Sequence, residues 1–179
     1  MKVLFLDING VLCLGYTGTL DQGALLELCR IHDATGCLIV LASSWRGSEK
    51  RIARVQEALR QFGIPALVGM TGHTGDRGEE ILAWVRAWND AVSKGSMKLL
   101  DPPVETFGWR REKTPEYSPA LLEAATKKRP ERIAAWVSVD DEPALKRRIP
   151  QNLVMTNTQK GLTREDGDRA IMILSQVAL

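Results

Sequence analysis

No stretch of this 179-residue sequence is long and apolar enough to span a membrane. The longest apolar runs are four to six residues, as in Val3-Leu4-Phe5-Leu6 and Cys37-Leu38-Ile39-Val40-Leu41-Ala42, against about 20 for a spanning helix. A strong charge of either sign is missing too. Lys and Arg number 24 and Asp and Glu 22, a net charge of +2, too close to neutral for a general nucleic-acid binder. Any polyanion site has to be a local patch. Cysteine is scarce and odd in number (Cys13, Cys29, Cys37), without metal-ligand spacing, and reads as small buried residues. Met1-Lys2-Val3-Leu4 carries no cationic stretch leading into a long apolar segment and a cleavage site. The expectation is a cytoplasmic protein with reduced thiols. The rest is ordinary globular composition, 44% hydrophobic and 26% charged, which excludes a disordered or collagen-like chain. At roughly 100–200 residues per domain, the length predicts one domain.

Strand and helix patterns alternate along the chain. Val3–Leu6 and Cys37–Ala42 read as strands buried on both faces. Ala66–Val68, Ala134–Val139 and Leu153–Met155 read as three more. Asp21 caps a helix that carries Leu25, Leu28, Cys29 and His32 on one stripe, and Gly36 closes it. Ser48 opens a helix with Ile52, Val55, Leu59 and Phe62 inward, stopped by Gly63. Glu79 to about Ala91 places Ile81, Trp84, Val85 and Trp88 on one side, a core face. A short helix has Pro143 near its first turn. Thr163-Arg164-Glu165-Asp166 resembles a capping box, opening the last helix. The expected fold is α/β, a Rossmann-like three-layer sandwich with a parallel sheet of about five strands. Little beyond one helix fits between Asp7 and Ser43, so the cap is minimal or absent. Residues 92–131 break the rhythm with Pro102-Pro103, Gly108, Pro115 and Pro119. They read as a loop-rich insertion, with a short helix from Ser118, in a single domain spanning 1–179.

In an open parallel sheet, ligands bind just beyond the carboxyl ends of the strands. Three strand ends here deliver chemistry to one edge. The first runs into Asp7-Ile8-Asn9-Gly10, the second into Ser43-Ser44-Trp45-Arg46, and the fourth into Asp140-Asp141. Carboxylates converging in a crevice repel unless a cation sits among them, and oxygen ligands favour a hard divalent ion, most simply Mg²⁺. A metal and a free carboxylate beside hydroxyl and cationic donors suit phosphoryl transfer, and the carboxylate can itself be the nucleophile.

Leu6-Asp7-Ile8-Asn9-Gly10-Val11-Leu12 resembles the first motif of the haloacid dehalogenase-like (HAD) superfamily, DxDGT/V-L. With Ala42-Ser43-Ser44-Trp45-Arg46, Arg77-Gly78-Glu79-Glu80-Ile81, Val139-Asp140-Asp141-Glu142 and Gly161-Leu162-Thr163, the layout is similar to the phosphatase-type HAD domain of Swiss Army Knife RNA-repair proteins. The resemblance implies that Asp7 is the nucleophile and a metal ligand, and that the main-chain carbonyl of Asn9 is a second ligand. It implies that Ser43, with Ser44 beside it, holds phosphoryl oxygens. Asp140 then completes the metal shell, with Asp141 bound to the metal or just behind. Two residues compete for the cation that neutralises the phosphoryl group, Arg77 and Lys113. Arg46 is read as touching substrate or loop carbonyls.

Position 9 departs from the pattern, which has aspartate there as general acid and base. Asn9 can hold a hydrogen bond but cannot exchange a proton in that way, at a typical cost of about 10²–10⁴ in rate. An engineered inactive form and a natural degenerate phosphatase both account for it.

The resemblance implies a Mg²⁺-dependent phosphomonoesterase working through an aspartyl-phosphate on nucleotide or polynucleotide ends, impaired by Asn9. The competing reading is a catalytically inactive module that binds phosphorylated ends or a protein partner. Residues 94–132 hold nine Lys and Arg and six Asp and Glu. Trp109 and Tyr117 interleave there with Arg110, Arg111 and Lys113, and a base can stack on either ring. His32 reads as structural. His73 lies in a Gly-rich loop within reach of the crevice. No membrane contact is expected, and the oligomeric state stays open.

Overall fold

Strand β1 (Lys2–Leu6) sits at the centre of a five-stranded, wholly parallel sheet, flanked by β2 (Leu38–Leu41) and β4 (Ala135–Asp140). With β3 (Gly69–Met70) and β5 (Leu153–Met155) at the edges, the order is β3-β2-β1-β4-β5. The computed structural model describes residues 1–94 and 131–176. The expected short helix from Ser118 and most of the insertion at 92–131 lie outside those residues. At its start the chain is still helical, because α3 runs to Ser93.

Both faces of the sheet are covered, as the unbroken apolar runs require. Leu4 and Leu6 point to one side, where they meet Leu28 and Ile31 of α1 (Gln22–Thr35), Val55 and Leu59 of α2 (Glu49–Gln61) and Leu174 of α5 (Arg164–Ser175). Val3 and Phe5 point to the other, against Ile81, Trp84 and Trp88 of α3 (Arg77–Ser93) and Leu145 of α4 (Leu145–Arg148). Trp84 and Trp88 stack at 5.3 Å, and Phe5 meets Trp84 edge-on at 5.5 Å. The tryptophan pair is core, as its spacing predicts.

The chain steps from β1 outward to β3 with its helices on one face. It then returns through α3 to lay β4 on the other side of β1. Right-handed crossovers put the helices of the two directions on opposite faces. The reversal leaves a crevice between the carboxyl ends of β1 and β4.

Helix ends follow the local chemistry. Asp21 accepts from the Ala24 N–H at 2.8 Å, and Gly36 ends α1 in the left-handed conformation. Thr163 and Asp166 form the reciprocal capping box. Two element starts differ from the sequence reading by more than one residue. The third strand is Gly69–Met70 rather than Ala66–Val68: Ala66 is exposed, and the ladder pairs Val40 with Gly69 and Leu41 with Met70. Gly69 lies under the Trp84 indole, whose ring would stand 3.2 Å from a Cβ added there, a tight fit for any larger residue. Helix α3 starts at Arg77, not Glu79, because Asp76 caps it by accepting from the Glu79 N–H at 3.1 Å. Between β1 and β2 the described chain adds only a 3₁₀ turn (Leu14–Tyr16) to α1, so no cap domain is inserted there. No helix among the described residues is long and apolar enough to cross a membrane.

Thr163→Ala removes the hydroxyl half of the capping box. It should lower stability by about 1 kcal/mol in urea unfolding, with an unchanged slope.

Candidate active site

The turn after β1 is tight. Leu12 and Cys13 both donate their N–H groups to the Ile8 carbonyl, at 2.9 and 2.8 Å, and Gly10 donates to Cys13 O at 2.8 Å. Gly10 has φ +71°, and a Cβ there would overlap the Asp141 carboxylate. Only glycine lets the two loops close on each other. The loop after β5 locks them. The Thr156 hydroxyl donates to Gly10 O at 2.8 Å, and that of Thr158 to Asp141 Oδ2 at 2.7 Å.

Because Leu6 pairs with Val139, the residues that follow them, Asp7 and the last residue of β4, Asp140, stand side by side at the sheet's edge. Asp7, Asp140 and Asp141 each offer a carboxylate oxygen, all within 4.8 Å of one another. Asp7 is 4% exposed and Asp140 fully buried. Arg77, the first residue of α3, reaches between them, with Nη1 2.6 Å from Asp140 Oδ2 and 3.2 Å from Asp7 Oδ1. Ser43, fully buried after β2, turns its hydroxyl to the Asp7 carboxylate. The Glu142 N–H donates to Asp140 Oδ1 at 2.9 Å.

Burial pushes the Asp7 carboxyl up to about 7, and the Asp140 charge adds to it, against the opposing pull of Arg77, Ser43 and the Ile8 N–H. Burial also raises Asp140, with Arg77 opposing. The raised proton affinity comes from negative charge held in a low-dielectric pocket, a condition that a metal cation would also relieve. When all three carboxylates are ionised, against one guanidinium they leave two negative charges, which one divalent cation would cancel. The donor set, all hard oxygens, fits such an ion.

The model of one family, the HAD domain in Swiss Army Knife RNA repair proteins, matches residues 3–116. The chain belongs to this family. No curated protein and no solved structure gives a significant match. The family is of phosphatase type, and the match takes in Asp7, Asn9, Ser43 and Arg77. Asp140 and Asp141 lie beyond it, brought to the same crevice by β4.

Other parts of this HAD domain hold the site loops in place. Arg46 is no surface arginine. It donates to the Ser43 carbonyl at 2.9 Å and pairs with Glu80 at 2.9 Å. His73 Nδ1 lies 2.8 Å from Arg46 Nη2. Glu80 also accepts from the Thr74 and Gly75 N–H groups at 2.6 and 3.1 Å. Arg46 and Glu80 therefore tie the loop after β2 to the one before α3. Trp45, buried, donates its indole N–H to Asn9 Oδ1 at 3.1 Å and fixes that side chain. Ser44 is exposed. Lys113, Trp109, Arg110 and Arg111 lie outside the described residues.

Sequence reasoning missed Glu80, Trp45, Thr156 and Thr158. For Glu80 a signal existed: it stands four and eight residues before Trp84 and Trp88, on the buried stripe. The threonines carried none.

Glu80→Ala strands Arg46, whose side chain is only 10% exposed. Breaking one partner of such a pair should cost about 3–5 kcal/mol in chemical denaturation, and the double replacement Arg46→Met/Glu80→Leu should recover most of it.

Proposed function

We propose that this domain is a Mg²⁺-dependent phosphomonoesterase that works through an aspartyl-phosphate on terminal phosphates of nucleotides or polynucleotides, and that Asn9 impairs it. The observation that carries this is the buried Asp7 carboxylate beside Arg77 at the strand-end crevice. Asp7, Asp140, Asp141 and the main-chain carbonyl of Asn9 would hold the metal. When bound, it neutralises charge on the phosphoryl oxygens. Arg77 supplies the second cation, with the Ser43 hydroxyl as a donor to phosphoryl oxygen. The three free cysteines suit a reducing, cytoplasmic setting.

In the first step an Asp7 oxygen bonds to phosphorus as the bond to the leaving oxygen breaks, and the electron pair departs with that oxygen. The leaving oxygen then needs a proton. In the second, water attacks phosphorus, frees Asp7 and needs a base. Asn9 can do neither. An aspartate at position 9 can accept the same Trp45 hydrogen bond, so the geometry suits the missing group. Asn9 equally favours the second reading, an inactive module that binds phosphorylated ends or a protein partner.

Asn9→Asp should raise turnover by about two orders of magnitude or more. The assay would use p-nitrophenyl phosphate, nucleoside 3′- and 5′-monophosphates and short phosphorylated oligonucleotides, with and without Mg²⁺. The Asn9 form should do best on p-nitrophenyl phosphate, whose leaving group needs little protonation. An Asn9→Asp protein that folds, binds Mg²⁺ and hydrolyses none of them makes the binding module the better reading. In calorimetry, Asp140→Asn should abolish measurable Mg²⁺ binding. Unchanged affinity would remove Asp140 from the metal site.

A further inference from the structure

A cleft of about 430 Å³ opens beside Asn9, between the loop after β1 and the start of α2, with Trp45, Ser48, Lys50, Arg51 and Arg54 on its walls. That volume lies in the range of small-ligand sites, roughly 300–1,000 Å³. Its lining carries three cations and no carboxylate. Among the described residues, Lys50, Arg51 and Arg54 form no ion pair, whereas Arg60 further along α2 is taken by Glu57 at 2.7 Å. The two acids of the helix are Glu49, in its first turn, and Glu57, which Arg60 engages.

Two of these cations are held in place. Arg51 lies over the Trp45 ring, 5.6 Å from its centroid, a contact that fixes a guanidinium without neutralising it. Arg54 donates one N–H to Gly18 O at 2.7 Å, leaving its remaining donors available. A guanidinium positioned this way suits phosphate oxygens, which accept its paired N–H groups. The terminal phosphate has its own counter-charges at Asp7, where Arg77 stands. Three further cations beyond position 9 therefore call for further negative charge on the substrate.

We infer that this cleft holds the phosphodiester backbone of a single nucleic-acid strand on the leaving-group side of the scissile phosphate, so that the substrate is a polynucleotide end rather than a mononucleotide. The orientation rests on the reading of Asp7 and position 9 given above. The strand enters past Arg54, crosses Arg51 and Lys50, and presents its phosphorylated end at Asn9 and Asp7. The specificity surface then lies on α2.

The test is binding by the full chain, read by fluorescence anisotropy as a function of salt. The probes are a short single-stranded oligonucleotide with a terminal phosphate and the corresponding nucleoside monophosphate. The variant Lys50→Ala/Arg51→Ala/Arg54→Ala should bind the oligonucleotide at least about tenfold more weakly. Its salt slope should be shallower by about 2, from three contacts at about 0.7 each. Monophosphate binding should stay within about twofold. Lys50→Gln/Arg51→Gln keeps the Arg54 contact with Gly18 and should show a smaller loss of the same kind if the triple variant unfolds. Lys146→Ala/Arg147→Ala, exposed on α4, should bind like the unaltered protein. The inference is overturned if the α2 variants keep full affinity and slope, if the α4 variant loses as much, or if a glutamate-rich peptide of equal charge displaces the oligonucleotide as well as a strand does. Hydrolysis of p-nitrophenyl phosphate by Asn9→Asp needs no strand and separates the two failures. Turnover with α2-independent binding discards the cleft alone. No turnover with α2-dependent binding discards the phosphatase and leaves the cleft as a strand-binding site.

Discussion

The Arg77 guanidinium between Asp7 and Asp140 is the contact on which the site depends. Two carboxylates that leave adjacent parallel strands at the same level are forced together by the sheet, and neither can retreat to water. Their repulsion in a buried place has to be met by positive charge. Arg77 meets part of it from the first turn of α3, where Asp76 caps the helix and is itself paired with Arg148 of α4 at 2.8 Å. The placement of one cation thus draws on both helices of that face.

Around this centre the loops are tied to one another as well as to the sheet. Asn9 is held by Trp45, Gly10 by Thr156, Asp141 by Thr158, and the Ser43 carbonyl by Arg46. The first three ties join residues far apart in the chain, while the Arg46 bond closes the loop after β2 on itself, so the loops of the crevice form one hydrogen-bonded unit. That rigidity suits a reaction in which positioning and charge neutralisation carry most of the work.

The strand ends were legible because buried strands write themselves as unbroken apolar runs, and a polar residue directly after such a run has to emerge at the sheet's edge. Asp7, Ser43 and Asp140 follow that rule. The third strand did not, since Leu67 and Val68 pack into the core, and Val68 donates its N–H to Ile39 O at 2.9 Å, before the ladder pairing begins at Gly69. The ladder itself falls on a glycine chosen for Trp84. The start of α3 was set late because Asp76 was not read as a cap. Thr156, Thr158 and the indole of Trp45 were illegible for another reason: their partners are fixed by tertiary closure, and no local pattern encodes it.

The pairing of Lys2 with Ala135 has a consequence for how the molecule is made. Of the five strands, the one at the centre of the sheet is made before the other four, and one of its two neighbours, β4, is made fourth. Until β4 arrives, β1 has one bare edge, open to pairing with other chains, and Asp7 has no Asp140 to share its arginine. Contacts this distant in sequence form slowly. The nascent chain therefore passes through a half-sheet with an exposed apolar strand, and the Asp7–Asp140 pair forms only once β4 is in place.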